Sequence, residues 1–196
     1  VREEHPAARP VHMLMEHFFK GYPGFSQLLP KVGGVPAHPA NAQRLLDDEQ
    51  QLVLVFPEGR KGTEKLYRRR YQVQRFGRGG FAATAMRARV PIVPICVVGA
   101  EEAMPIFVHM RTLQRLTGLI YAPVTPTFPL LGLPGAFIYL PAKFKIRFLP
   151  PIETGGLGER PWRNQGLVQD VAEQVRTTIQ DELYEMVGER RSVWFG

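Results

Sequence analysis

Five apolar residues, Leu52-Val53-Leu54-Val55-Phe56, run directly into Pro57-Glu58-Gly59, and a dense run of cations follows. Residues 59–78 hold Arg60, Lys61, Lys65, Arg68, Arg69, Arg70, Arg75 and Arg78 against one acid, Glu64. The other 17 basic and 17 acidic residues cancel, so the whole net charge of +7 belongs to this stretch. A parallel α/β sheet binds ligands outside the carboxyl ends of its strands, and Glu58 sits just past such an end. Gly59 lets the backbone turn or approach a ligand closely. Arg60 and Lys61 can hold a phosphate as a fork and as a point charge. A local positive field of this kind steers anions: phosphates, nucleic acid or an acidic lipid surface. The alternative for Glu58 is a structural carboxylate paired with a nearby arginine.

Other chemistries find little support. Cys96 is the one cysteine, so there is no disulfide framework, and a reducing compartment is expected. With no His or basic residue beside it in "VPICVV", it reads as a small core residue rather than a nucleophile. His12 and His17 are five apart, whereas paired metal ligands on a helix prefer four. No Cys/His cluster, Ser-His-Asp set or Gly-x4-Gly-Lys phosphate loop occurs, so no metal or bound cofactor is expected. The glycines of "GRGG" (77–80) read as the start of a closely packed helix.

The elements that must hold Glu58 alternate in type. "PVHMLM" (10–15) reads as a short strand, "EHFFKGYPGFSQLL" as helix and turn, and "VGGVPA" (32–37) as a short strand. "NAQRLLDDEQ" (41–50) reads as a helix capped by Asn41. "QLVLVF" (51–56) and "VPIVPICVVG" (90–99) read as buried strands, with a helix over 77–89 between them. "AKFKIRFL" (142–149) alternates, as a strand with one exposed face does. The expected class is α/β, with a mostly parallel central sheet flanked by helices.

Residues 116–142 carry no charge, which is long enough for a membrane span, but prolines at 123, 126, 129 and 134 argue against a helix. This stretch is expected to be non-helical, with apolar side chains such as Phe128 and Leu131 facing outward. It either packs on the protein or dips into a bilayer surface. Leu167, Val168, Val171, Ala172, Val175, Ile179, Leu183, Met186 and Val187 follow helical spacing and predict a C-terminal amphipathic helix packed on the domain.

"VFPEGRKG" (55–62) resembles the Phe-Pro-Glu-Gly-Thr-Arg motif of the PlsC-like glycerophospholipid acyltransferases. "VPIVPI" (90–95) resembles that family's later block, and the basic loop and Gly/Ala-rich helix between them fit its spacing. "YRRRYQVQRFGRGGFAATAMRARVPIVPICVVGAEEAMPIF" is similar to a bacterial subgroup related to diacylglycerol acyltransferase-like proteins. The resemblance covers roughly residues 10–150 and implies a glycerol-3-phosphate acyltransferase-like fold. It implies transfer of a fatty acyl group from acyl-CoA or acyl carrier protein to a glycerolipid hydroxyl, such as that of a lysophospholipid, at the cytoplasmic face of the membrane. In that chemistry a His acts as general base and an Asp five positions on orients it. The resemblance implies substrate-binding roles for Glu58, Gly59, Arg60, Lys61, Arg75 and Arg78.

Three positions depart from the family pattern. His5, His12, His17, His38 and His109 are followed five residues later by Pro10, His17, Tyr22, Gln43 and Gln114. The His-x4-Asp pair is therefore expected upstream of Val1, and no catalytic residue is assigned within the chain. Residues 1–152 are expected to form an acyltransferase domain lacking that segment, and 153–196 its C-terminal helix. Arg60-Lys61 stand where the motif has Thr-Arg. His38 or Pro39 aligns with an arginine of the family, which leaves room for a neutral acceptor such as diacylglycerol. Two other readings are a catalytically inactive acyltransferase-like binding protein and a nucleic-acid module using loop 59–78, where arginines and aromatics interleave.

Overall fold

A computed structural model describes residues 9–15, 31, 33–110, 115, 123–135 and 138–194. The segment 16–30, read above as helix and turn, lies outside the described residues. The chain divides into two compact units, residues 1–59, 76–92 and 151–174 in the first and 60–75, 93–150 and 175–196 in the second.

In the first unit, β1 (Val11–Met15) lies between β2 (Gly34–Pro36) and β3 (Leu52–Leu54), and both pairings are parallel. Met13 stands opposite both Gly34 and Leu54, which fixes the register. Helix α1 (Pro39–Asp47) links β2 to β3. Its cap is His38, not Asn41: Nδ1 of His38 accepts the Ala40 N–H at 3.2 Å, and the Asn41 side-chain amide donates to Pro36 O at 3.0 Å. Pro39 takes the first helical position, where its missing N–H would have had no partner. β3 is half-buried rather than closed on both faces, and Phe56 just beyond it is exposed; among the described residues β1 is its one strand partner.

Helix α3 (Gly80–Ala88) packs Ala82 and Met86 against Val168, Val171 and Ala172 of the long C-terminal helix, labelled α6 (Gln165–Gly188). Gly79, just before α3, makes this approach possible. Gly79 has φ +71°, and a Cβ there would lie 3.0 Å from Val168 Cγ1 and 3.2 Å from Ala172 Cβ. The buried Thr154 hydroxyl sits 2.7 Å from Val90 O and 3.1 Å from Ala85 O, tying the chain before α6 to the end of α3.

The second unit opens with α2 (Arg60–Thr63), a single turn. β4 (Ile95–Val98) pairs antiparallel with β7 (Lys145–Phe148), with Val97 opposite Ile146. Cys96 and Val98 face Leu183 and Met186 of α6 and are buried. Val97, Ile146 and Phe148 are exposed, so β4 buries one face, not two. The Cys96 thiol, as expected, is a core group, and burial pushes its pKa up to about 11. After β4 come a short helix, α4 (Ala100–Ala103), and a small antiparallel pair, β5 (Val108–His109) with β6 (Pro123–Val124). One further turn of helix, α5, spans Gly132–Gly135. The described part of 116–142 is otherwise non-helical, as its prolines require. Phe128, expected to face outward, is instead buried at 7% exposure. Its N–H donates to Thr125 Oγ1 at 3.0 Å and its carbonyl accepts the Thr125 N–H at 2.9 Å, which folds the ring inward. Among the described residues no helix is long and apolar enough to cross a membrane.

Candidate functional site

Parallel strands put all their carboxyl ends on one edge. In the first unit the chain passes from β1 to β2 on one side and then to β3 on the other, so strand order reverses at β1. Ligands of open α/β sheets bind outside the carboxyl ends at such a reversal. Glu58 and Gly59 lie four and five residues past the end of β3 on that edge. The turn closes through Gly59 N–H to Phe56 O at 3.0 Å, with Gly59 at φ +55°, a left-handed conformation that favours glycine. Glu58 is half-buried there. His38, two residues past β2, sits on the same edge. It also borders a cleft of about 630 Å³ between α1 and α3, lined further by Arg44, Thr84, Arg87 and Trp162. Arg78 is exposed just before α3, and its carbonyl accepts from Gln165 Nε2 at 3.2 Å.

The other three candidates, Arg60, Lys61 and Arg75, belong to the second unit. All three are exposed. Arg60 Nε meets Glu64 Oε1 at 3.0 Å across one helical turn, so this guanidinium is already engaged. Glu64 is held in turn: its N–H donates to Arg60 O at 2.9 Å, and its own carbonyl lies 2.7 Å from His109 Nε2.

The basic stretch is not one open positive face. Lys65 Nζ lies 2.6 Å from Glu101 and donates to Gln72 O at 2.9 Å. Glu101 also accepts the Tyr71 N–H at 2.7 Å. Its neighbour Glu102, 1% exposed, takes the Tyr71 hydroxyl and, at 2.6 Å, Arg190, whose side chain is 3% exposed. Burial, then the Glu102 carboxylate, pushes the Tyr71 phenol up to about 12. Arg70 lies over the rings of Tyr67 and Tyr71. Arg190 donates also to Lys143 O and Val193 O, at 2.8 and 2.6 Å. The acids that organise the stretch, Glu101 and Glu102, were not among the residues singled out by the sequence. The signal available was a pair of adjacent acids inside the otherwise apolar "PIVPICVVGAEEAMPIF".

Residues 1–98 match the model of the Acyltransferase family. Uncharacterized proteins of Mycobacterium bovis and Mycobacterium tuberculosis are 40% identical over all 196 residues, and one of Mycobacterium leprae is 39% identical. The chain spans about half the length of these curated relatives, 54% of the first two and 53% of the third. The crystal structure of the 1-acyl-sn-glycerophosphate acyltransferase PlsC from Thermotoga maritima covers 92% of this chain, and 58% of that chain is matched, with a TM-score of 0.55 and 15% identity. That likeness gives the fold, an α/β arrangement with a parallel sheet flanked by helices. Together with the family match over half its length, it identifies the chain as a member of the acyltransferase family with a PlsC-like fold.

Proposed function

We propose that the chain forms the acceptor-side part of an O-acyltransferase that moves a fatty acyl group from a thioester to a glycerolipid hydroxyl, such as that of a lysophospholipid. The observation that carries this reading is Glu58, half-buried in a glycine-closed turn at the carboxyl edge of the parallel sheet, with Arg60 and Lys61 immediately after it. In this reaction the acceptor hydroxyl attacks the thioester carbonyl, a base takes the hydroxyl proton, and the thiol of coenzyme A or acyl carrier protein leaves. Glu58 accepts a hydrogen bond from the acceptor and orients it. Lys61, Arg75 and Arg78, exposed and close to the ends of the basic stretch, carry the charge of a phosphate on donor or acceptor. Arg60 contributes less, because Glu64 engages it. The thioester is consumed as a co-substrate, and no further cofactor is required by this chemistry.

The base in this scheme is a His-x4-Asp pair, which these 196 residues do not contain. The enzyme acts as a peripheral protein at the cytoplasmic face of the membrane, where its acceptor resides. The test is transfer of radiolabelled acyl groups from acyl-CoA and acyl carrier protein to lysophosphatidate and to diacylglycerol, using the full-length protein. Transfer by the full-length protein, its loss on Glu58→Gln, and no transfer by the 196-residue chain support the proposal. A full-length protein that binds lipid but transfers nothing to either acceptor identifies an inactive binding protein instead.

A further inference from the structure

In the second unit, the turn Tyr67–Arg69 is fastened to the segment leading into β5. The Tyr67 N–H donates to Ile106 O at 2.7 Å, and its ring meets Phe107 edge-on with centroids 6.0 Å apart. Arg68 and Arg69 are exposed on this turn. Phe107 and Val108, beside it, are exposed as well. The strip continues, because the Phe107 N–H donates to Val124 O at 2.9 Å and Val108 pairs with Val124. Beyond β6, the closure that draws Phe128 inward pushes the next residues out. Leu130 is 84% exposed, and Leu131 follows it, also exposed. From Pro123 to Ala142 the sequence has no charge. Two acids of this unit, Glu64 and Glu101, are engaged by Arg60 and Lys65.

We infer that this strip is the surface on which the second unit docks to an anionic lipid bilayer. Leu130, Leu131, Phe107 and Val108 enter the interfacial layer, and Arg68 and Arg69 meet lipid phosphates. Interfacial binding needs buried apolar area together with cations facing acidic headgroups, and both are exposed here on segments that these hydrogen bonds link from the turn through β5 and β6. Leu130 favours a bilayer over an acidic protein partner. A protruding aliphatic chain enters lipid without a matching pocket, whereas an acidic carrier protein would recognise the arginines alone. The inference deepens the acyl-transfer reading and rests on it only for the identity of the substrate; docking itself is measured without catalysis.

The experiment is flotation of the full-length protein with phosphatidylcholine vesicles, with and without phosphatidylglycerol. Leu130→Glu is expected to weaken flotation about tenfold or more, since it replaces an inserted apolar side chain by a charge. Joint Arg68→Ala and Arg69→Ala should weaken it severalfold on anionic vesicles alone, an effect that disappears at high salt. Phe148→Glu, at a 69% exposed site on β7, is the control and should float like the parent protein. Flotation unchanged by Leu130→Glu, or weakened as much by Phe148→Glu, overturns the inference. So does a double arginine variant that loses affinity for acidic carrier protein while flotation is unaltered. Acyl transfer in detergent micelles is independent of docking. Its absence in the parent protein counts against the proposed reaction, and its presence in Leu130→Glu keeps the two failures apart.

Discussion

Glu58, after β3, and the pair Glu101–Glu102, after β4, follow apolar strands and end in different surroundings. Glu58 comes after β3 through Pro57 and is followed by Gly59 at φ +55°. Glu101 and Glu102 come after β4 through Gly99 at φ +116°, where a Cβ would lie 2.5 Å from Lys143 O. Both turns lead into a single turn of helix. Locally the two sequences carry the same parts, a strand end, a glycine at positive φ, an acid and a short helix, with the acid before the glycine at Glu58 and after it at Glu101. Yet Glu102 is enclosed and bound to Arg190 and Tyr71, while Glu58 stays half-buried on a sheet edge. The enclosure of Glu102 is set by partners distant in sequence. Arg190 lies 88 residues beyond Glu102, and Tyr71 lies 31 before it. An acid after a strand is therefore a candidate for chemistry only once its long-range partners are known.

The largest expected effect is on stability at Glu102. Glu102→Ala leaves Arg190 buried and uncompensated, which typically costs about 3–5 kcal/mol. For a chain of this size that lowers Tm by about 10 °C or more, readable by thermal melts. Alkali attacks the same cluster. The folded protein favours the neutral Tyr71 phenol, whose pKa rises from 10.0 to about 12. This contribution is intact below about pH 10 and lost as pH climbs toward 12. Tyr71→Phe should flatten that part of the stability profile. A Glu102→Ala protein that melts like the parent would reverse the comparison.

Next is Glu58→Gln. In the enzyme with its His-x4-Asp pair, acyl transfer should fall by about 10²-fold or more, as when one positioned polar group is removed from a transition state. Tm should change little, because the turn closes through backbone atoms. Retained activity with a lowered Tm would place Glu58 in the same structural class as Glu102.

What could be read from the sequence was what local spacing determines. The alternation of "AKFKIRFL", the apolar stripe of α6 and the tight glycine start of α3 each follow from neighbours within a few residues. The elements around Glu58 were legible for the same reason. The cap of α1 was not, because a neutral imidazole nitrogen can accept an amide proton as well as an asparagine side chain can. The inward turn of Phe128 depends on one threonine hydroxyl. The basic stretch misled most. Its cations are adjacent in sequence, whereas the acid that takes Lys65 lies 36 positions further on, after β4.

The comparison sharpens at Lys61. This cation is exposed and comes three residues after Glu58 in sequence. Lys61→Ala should raise the KM for a phosphate-bearing acceptor about tenfold, equivalent to roughly 1.4 kcal/mol from one charge-assisted contact. The kcat should move little, because the contact holds substrate and transition state alike. Equal loss with diacylglycerol, which has no phosphate, would assign Lys61 to the donor instead.

The smallest effect is expected one residue earlier. Arg60 and Lys61 have the same charge and lie on the same turn of helix, so a purely electrostatic surface would respond alike to losing either. The structure separates them, because Arg60 is bound to Glu64 at 3.0 Å. An exposed pair four residues apart on a helix contributes about 0.3–0.5 kcal/mol, so Arg60→Ala should shift Tm by no more than about 2 °C. It also releases Glu64, so the net local charge falls by one, as it does in Lys61→Ala. If long-range field alone matters, the two variants show matching KM changes, both suppressed by salt across the Debye length. If contact with the phosphate matters, Lys61→Ala raises KM about tenfold at every ionic strength while Arg60→Ala changes it less than about twofold. Measuring KM for both variants at low and high salt decides between a directional phosphate contact at Lys61 and a diffuse positive surface.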